Sequence, residues 1–576
     1  MGAMTTTRGR LQVALQAAFD RLAPGADPVL RPSEHADLQS NGALALARTL
    51  GRSPRDLATE VAAAPELAGW CRAEVSGPGF VNLHLADDFL TGQLDRLSGD
   101  PRLGVPAAAE PATYVVDYSA PNVAKEMHVG HLRTTIIGDA LCRMLAFAGH
   151  DVRRENHLGD WGTPFGMLIE HLLEIGEQEA VEELSVGDLD TFYRQARASF
   201  EARADFREAS RRRVVLLQQG DEETRRLWSV LVAESLAYFD DVYTRLGVLL
   251  TDDDVVGESF YNDALAGVVA DLDAAGLLVE SDGARCVFPP GFAGRDGEPL
   301  PLIVQKSDGG YTYATTDLAA LRDRVDRHHA DRILYVVGAP QHQHLEMCFA
   351  VARSAGWLPA SVEATHVAFG SVLGADHKMF KTRSGDTVKL VTLLDEAVAR
   401  ARLALGERAA HLDEADRHAL AGTVGIGALK YADLSTDRTR DYVFDFDRML
   451  AFEGNTGPYL QYAHARICSL LRRAHTDAGA RPGALQVATP EEHHLALALL
   501  AFPEALDGAL GDAAPHRLCQ HLYELAGAFT TFYERCPVLR ADDPATRDSR
   551  LRLAELTGAV LACGLGLLGI GAPERM

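Results

Sequence analysis

Residues 113–166 read TYVVDYSAPNVAKEMHVGHLRTTIIGDALCRMLAFAGHDVRRENHLGDWGTPFG. Tyr114–Tyr118 is a short apolar, β-branched run and predicts a buried strand. A Ser-Ala-Pro-Asn turn follows. Leu132, Ile136, Ile137, Leu141 and Leu145 then recur at helical spacing, with Gly149 just beyond as a stop. Val152–Asn156 predicts a second strand. His128-Val129-Gly130-His131 falls where the helix begins. A helix N-terminus presents unpaired N–H groups and partial positive charge, so polyanions settle there. Gly130 lets a ligand approach the backbone closely, and the flanking imidazoles can donate to phosphate oxygens.

Some 250 residues on, His377–Gly385 reads HKMFKTRSG, a Lys/Gly-rich loop after the strand-like run His366–Val372. Lys378 and Lys381, three apart in a flexible loop, can close on a triphosphate as mobile charges. Either feature alone is common; together and in this order they point to a nucleotide site. HVGH and KMFKT resemble the HIGH and KMSKS signatures of class I aminoacyl-tRNA synthetases. APNVAKEMHVGHLR, HLGDWGTPFG, FKTRSGDTVKL and YLQYAHARI are similar to arginyl-tRNA synthetases in particular, from about residue 75 to Met576.

The totals set bounds on this reading. A chain of 576 residues holds two to four domains. Its net charge of −25 argues against non-specific wrapping of nucleic acid. A tRNA partner would have to meet local basic patches. The eight cysteines include no C-x-x-C pair, so neither a structural zinc site nor a disulfide framework is expected. No apolar run of about 18 residues and no signal-peptide pattern is read. No membrane partner and a cytoplasmic location are the expectations.

The expected fold is multidomain. A small α+β unit occupies residues 1–105, with helices around Leu11–Leu22 and Ala43–Leu50 and a hairpin over Ala73–Leu85. An α/β Rossmann-type catalytic domain with a parallel sheet spans 106–455, carrying a helical connective insertion at about 178–300. An all-α bundle fills 456–576. Leu302–Gln305 resumes strand character, and a turn at Asp308–Gly310 leads to an extended run Tyr311–Thr315 before a helix opening at Thr316-Asp317. Ile333–Gly338 is wholly apolar and predicts a buried parallel strand. It ends in Gly338-Ala-Pro-Gln-His-Gln-His344, and ligands lie beyond the carboxyl ends of such strands. That Gln/His run suggests a metal only weakly, since no carboxylate or cysteine ligand is read nearby. His366–Gly374, which includes Phe369, is expected as a further strand whose backbone pairs with adenine.

The resemblance implies arginyl-adenylate formation from ATP and L-arginine, with Mg²⁺, and transfer to the 2′-hydroxyl of the terminal adenosine of tRNA-Arg. It assigns phosphate work to His128, His131, Lys381 and Lys125, with Lys378 beside them. It assigns arginine binding to Asp117, Ser119, Asn122, Tyr313, Asp317 and Gln341. Gly130, His131, Gly338, His344, Phe369 and Lys381 would border ATP. The N-terminal unit would meet the tRNA elbow, with Phe80 either stacking on tRNA or serving as a core residue. The bundle would read the anticodon, with Tyr459, Tyr462 and Arg466 as candidate contacts; helical spacing also fits the two tyrosines as core. Monomer is the family habit. Two rival readings remain: a tRNA-binding paralogue without catalysis, and a class I synthetase for another amino acid.

Overall fold

The computed structural model describes residues 6–185, 189–294, 296–380, 388–476 and 484–576. In the N-terminal unit, the helix Thr7–Asp20 and the helices Gly42–Leu50 and Pro54–Ala62 pack on an antiparallel sheet. Its strand order is Leu30–Pro32, Leu38–Ser40, Phe80–Leu85, Cys71–Ser76. The predicted hairpin pairs Ser76 with Phe80, and alternation along the last strand buries Val81, Leu83 and Leu85.

A four-stranded parallel sheet forms the centre, in the order Glu363–His366, Arg332–Tyr335, Thr113–Asp117, Asp151–Glu155. Val115 and Val116 point to opposite faces and enter two separate hydrophobic cores. Both faces are therefore covered, as β-branched runs of this kind require. Chain order reverses between the first strand and the third, Arg332–Tyr335. Their following helices, Val129–Phe147 and His342–Ser354, leave from this switch point and open a crevice at the carboxyl ends.

Leu302–Gln305 is a strand, as its residues predict, and lies in a small antiparallel sheet with Leu278–Ser281 and Ala284–Val287. Two expectations change here. The helix expected at Thr316 begins at Tyr313, where the extended run was expected to continue. The run His366–Gly374 is broken: Glu363–His366 belongs to the parallel sheet, while Val372–Leu373 pairs with Tyr442–Val443.

Among the described residues, five helices from Pro164–Ile175 to Glu222–Leu246 form one group, and eight more, from Leu390–Leu405 to Pro544–Leu567, build the C-terminal part. The stretch Pro490–Gly511 is long and apolar enough for a membrane span, against the sequence expectation. It folds as two helices that bury Leu495, Leu499, Phe502 and Leu506 inside the bundle, so its apolarity is accounted for as core.

The N-terminal unit is latched to this bundle. His493 sets Nδ1 2.8 Å from Asp87 Oδ1 and Nε2 3.1 Å from Asp37 Oδ2. The bond to Asp37 outweighs the cost of burial and, with Asp87, raises the imidazole to about 9. A raised folded value means that this stabilisation is complete below the ordinary value of 6.5 and is lost as pH rises through 9. Wild type is expected to lose on the order of 1–2 kcal/mol across that window, after allowance for partial exposure. Denaturant midpoints should show that loss, and His493→Gln should flatten it.

Candidate active site

The helix Val129–Phe147 starts with a cap built from its own two histidines. Gly130 N donates to His128 Nδ1 at 3.0 Å, and His128 N donates to His131 Nδ1 at 3.1 Å. An Nδ1 that accepts from an amide carries no proton, so both rings are Nε2–H tautomers with one donor each still to offer. Burial, then His128 and Lys125, pulls His131 down to about 3; burial also lowers His128, with Lys125 assisting. The rings lie 4.0 Å apart, centroid to centroid, and stay neutral. Gly130 is required for this packing: a Cβ there would sit 2.8 Å from His128 Cε1.

The approach to the helix is strained. Ser119, Ala120 and Ala124 have φ of 73°, 47° and 58°, a conformation unfavourable for residues with a Cβ. Surrounding elements hold it in place. Ser119 N donates to Thr134 Oγ1, Ala120 N to Asn156 Oδ1 and Ala124 N to Ser235 Oγ. The Tyr243 hydroxyl lies 2.8 Å from Ser119 Oγ and accepts from Asn156 Nδ2 at 3.0 Å. Ser235 and Tyr243 both belong to the helix Glu222–Leu246, which thus buttresses the site. Ser119 is buried in this network, whereas Asn122 is exposed at the crevice and packs on Gly159, where a Cβ would meet its Oδ1 at 2.3 Å. Lys125 lies with Nζ 4.7 Å from the Tyr193 ring.

Across the crevice, the early helix start places Tyr313 and Asp317 one turn apart on one face. Asp317 Oδ2 is 2.5 Å from His344 Nε2, and the Tyr313 ring lies 4.7 Å from that imidazole. His344, expected beside ATP, therefore joins the group expected to bind arginine. Gln341 is exposed at the end of the short turn Ala339–Gln341. Gly338 pairs with Phe369, whose carbonyl accepts from Ala339 N at 3.0 Å. That oxygen already accepts one hydrogen bond within the chain.

Asp117, expected to help hold arginine, is engaged within the chain through one of its two oxygens. Its Oδ2 binds Arg324 Nη2 at 2.8 Å, and Arg324 Nε binds Glu155 Oε2 at 2.6 Å. The Arg324 side chain is 1% exposed and its guanidinium lies 4.8 Å from the Tyr335 ring. Asp117 thus ties strand ends together and leaves only Oδ1 without a partner. The carboxylates that share Asp317's surroundings come from elsewhere. Burial raises Glu258 to about 7; His157 opposes this, and Asp160 and Asp317 reinforce it. Asp160 accepts from Ser259 N and Oγ. Sequence reading missed Glu258 because it sits in a short 3₁₀ turn, Glu258–Tyr261, with no periodicity to mark it.

Lys381 lies outside the described residues. Lys378 is exposed just before them. The loop's flanks are fixed on both sides: Phe380 N donates to Val372 O, and beyond it Val388 O accepts from Val129 N. Leu390 N donates to Met127 O at 2.8 Å, and Lys389 Nζ binds Glu126 Oε1 at 2.8 Å. The lysine-rich segment thus rejoins the chain beside the paired histidines, which the sequence separation did not disclose.

Of the candidate tRNA contacts, Phe80 is half-buried at the hairpin tip and Tyr459 packs on Tyr523 with 5.6 Å between centroids. Arg466 lies over the Tyr533 ring, 4.3 Å from its centroid. Tyr462 remains 38% exposed and is the freer tyrosine.

Three family models match in succession: the arginyl tRNA synthetase N terminal domain over residues 6–85, the catalytic domain of class I (R) tRNA synthetases over 95–446, and the DALR anticodon binding domain over 460–576. The arginine–tRNA ligase of Thermobifida fusca is 54% identical over 573 residues, 99% of each chain. That of Escherichia coli strain SMS-3-5 is 49% identical over 555 residues, 96% of each. Among solved structures, the arginyl-tRNA synthetase of Plasmodium falciparum superposes with a TM-score of 0.83 at 29% identity, covering 98% of both chains. The Thermus thermophilus arginyl-tRNA synthetase gives 0.80 at 26% identity, covering 98% of this chain and 99% of its own. Likeness that runs through all three units in order, at such identity, leaves one conclusion: this chain belongs to the arginyl-tRNA synthetase family of class I synthetases.

Proposed function

We propose that the chain joins L-arginine to ATP, releasing pyrophosphate, and transfers the arginyl group from the adenylate to the 2′-hydroxyl of the terminal adenosine of tRNA-Arg. The arginine carboxylate attacks the α-phosphate, so no protein nucleophile is needed. The chain's task is to bring two anions together and to stabilise charge on phosphate oxygens. His128 and His131 offer neutral Nε2–H donors from the fixed side, and Gly130 leaves room for the nucleotide. Lys125, Lys378 and Lys381 supply positive charge, with Lys381 closing from the loop.

One observation carries this reading: the two-histidine cap and the acidic group around Asp317 flank the same crevice at the strand ends. Asp317 and Glu258, with Tyr313 and Gln341, suit a guanidinium, which needs carboxylate partners in planar geometry. Asn122 faces the amino acid's other end, while Ser119 and Asp117 act from behind by holding the loop and Arg324. A pocket of this polarity rejects amino acids that leave its carboxylates unpaired. The rival of another amino-acid specificity lacks that rationale, and the intact histidine pair speaks against a paralogue without catalysis.

Mg²⁺ suits the site as an ion delivered by ATP. Near His128 the described residues offer Asp190 and Glu126, the latter bound by Lys389. Mg²⁺ commonly binds through phosphates with one or two carboxylates, and there it would neutralise pyrophosphate. Tyr462 and Arg466, with Tyr459, form the bundle's proposed RNA contacts, and Phe80 that of the N-terminal unit. A cytoplasmic monomer is the working form that accompanies this reading.

ATP–pyrophosphate exchange tests it. Exchange is expected with arginine alone among the amino acids and only when tRNA-Arg is present, because the lysine loop departs from KMSKS at Phe380 and Thr382. Robust exchange without tRNA would overturn that dependence. Asp317→Asn should raise the arginine KM about 10–10²-fold, the worth of one charged hydrogen bond, with a smaller change in kcat.

A further inference from the structure

The sequence reading set aside a metal at the Gln/His run because no carboxylate or cysteine was read nearby. The fold brings both. His344 and Cys348 are one turn apart on the helix His342–Ser354, and Cys348 Sγ lies 3.7 Å from His344 Nε2. Asp317, from the helix Tyr313–Asp326, places Oδ2 2.5 Å from the same nitrogen. One donor atom from each of the three lies within 4.8 Å of the other two. Cys348 is 1% exposed, and His344 is the side chain its Sγ contacts.

We propose that Asp317, His344 and Cys348 form an exchangeable Zn²⁺ site whose occupation excludes the arginine side chain. The proposal rests on the functional reading above for the identity of the displaced substrate. One nitrogen, one sulfur and one oxygen donor suit a borderline-soft, tetrahedral ion, and three protein donors leave a fourth position for water. Zn–N and Zn–O bonds near 2.0–2.1 Å and a Zn–S bond near 2.3 Å require donor separations of roughly 3.3–3.6 Å. The His344–Cys348 separation is already close to that. The Asp317–His344 separation must open by somewhat less than ~1 Å, which a rotation of the half-exposed carboxylate provides. On binding, the Nε2 proton of His344 moves by exchange with solvent to Nδ1, leaving a neutral imidazole with Nε2 free to bind the metal, and the thiol proton passes to solvent. No electron is transferred. Asp317 cannot then meet a guanidinium, so metal and arginine compete.

Chelator-treated enzyme titrated with Co²⁺ alone tests the site without substrate. The expected result is a thiolate-to-cobalt charge-transfer band with tetrahedral d–d bands. It should saturate at one equivalent, be absent from Cys348→Ala and Cys348→Ser, and be lost on adding L-arginine. In initial-rate aminoacylation, Zn²⁺ should raise the arginine KM of wild type with kcat unchanged. Cys348→Ala should charge arginine within about twofold of wild type and require at least tenfold more Zn²⁺ for the same effect. A band that persists in both Cys348 variants, a band indifferent to arginine, or equal zinc sensitivity of wild type and variant would each overturn the proposal. Failure of metal-free enzyme to charge arginine would instead count against the functional reading, since the cobalt titration does not involve turnover.

Discussion

His131→Ala is expected to lower kcat for adenylate formation by about 10²–10³-fold, the usual cost of one preorganised donor to developing charge, while moving the arginine KM less than about threefold. The asymmetry follows from where His131 stands. Its Nδ1 is committed to His128 N, so Nε2–H is its side chain's one remaining donor, and the proposed mechanism assigns that donor to phosphate. The lost cap should cost only about 1 kcal/mol, visible as a small fall in the unfolding midpoint. His131→Asn, whose amide can still accept at the cap, should recover stability without recovering turnover. Equal losses in kcat and arginine affinity would contradict the assignment. Titration of His131 cannot shape the working pH profile, because its value near 3 keeps it neutral throughout. The depressed value also fixes the sign of its linkage: the cap's stability is present above the ordinary 6.5 and declines as pH falls toward 3.

Arg324→Leu is expected to destabilise the catalytic domain by about 3–5 kcal/mol, because it leaves Asp117 buried without its ion partner and removes one partner of the buried Glu155, which keeps only Arg327 and His328. Against burial, which raises it, Arg324 and His328 draw Glu155 down to about 2. In wild type that contribution is present above the ordinary 4.5 and fades as pH falls through 2. In the variant the pull of Arg324 on Glu155 is gone and burial counts for more, so Glu155 should take up its proton at higher pH and the acid side of the stability profile should improve relative to neutrality. Urea midpoints between pH 4 and pH 8 would show the reversal. A lysine replacement should not rescue, since one ammonium cannot match two carboxylates on the fork of a guanidinium. A variant as stable as wild type would mean that the strand ends do not depend on this triad.

Much of this was legible in the linear chain, and for identifiable reasons. Strand and helix around His128 follow from local periodicity and from Gly149, and the anion-binding character of the helix start follows from its position. Apolar runs such as Val115–Val116 and Ile333–Leu334 carry the parallel sheet because burial on both faces leaves no polar alternation. Where local pattern was weak, the expectation failed: Tyr313 opened a helix instead of extending a strand, and the run His366–Gly374 was broken between two sheets.

What the sequence by itself determined was the family of the chain and its three-part order, since these are carried by residue type and near-neighbour spacing. Only the tertiary structure decided which partner each charged group received. It gave Asp117 to Arg324, brought Glu258 and His344 to Asp317, and turned the two histidines into a mutual cap that fixes their tautomers. Those outcomes depend on burial and on contacts that residue spacing does not announce, from the two histidines three apart to Asp117 and Arg324, 207 apart, where desolvation makes an unpaired charge too costly to leave alone.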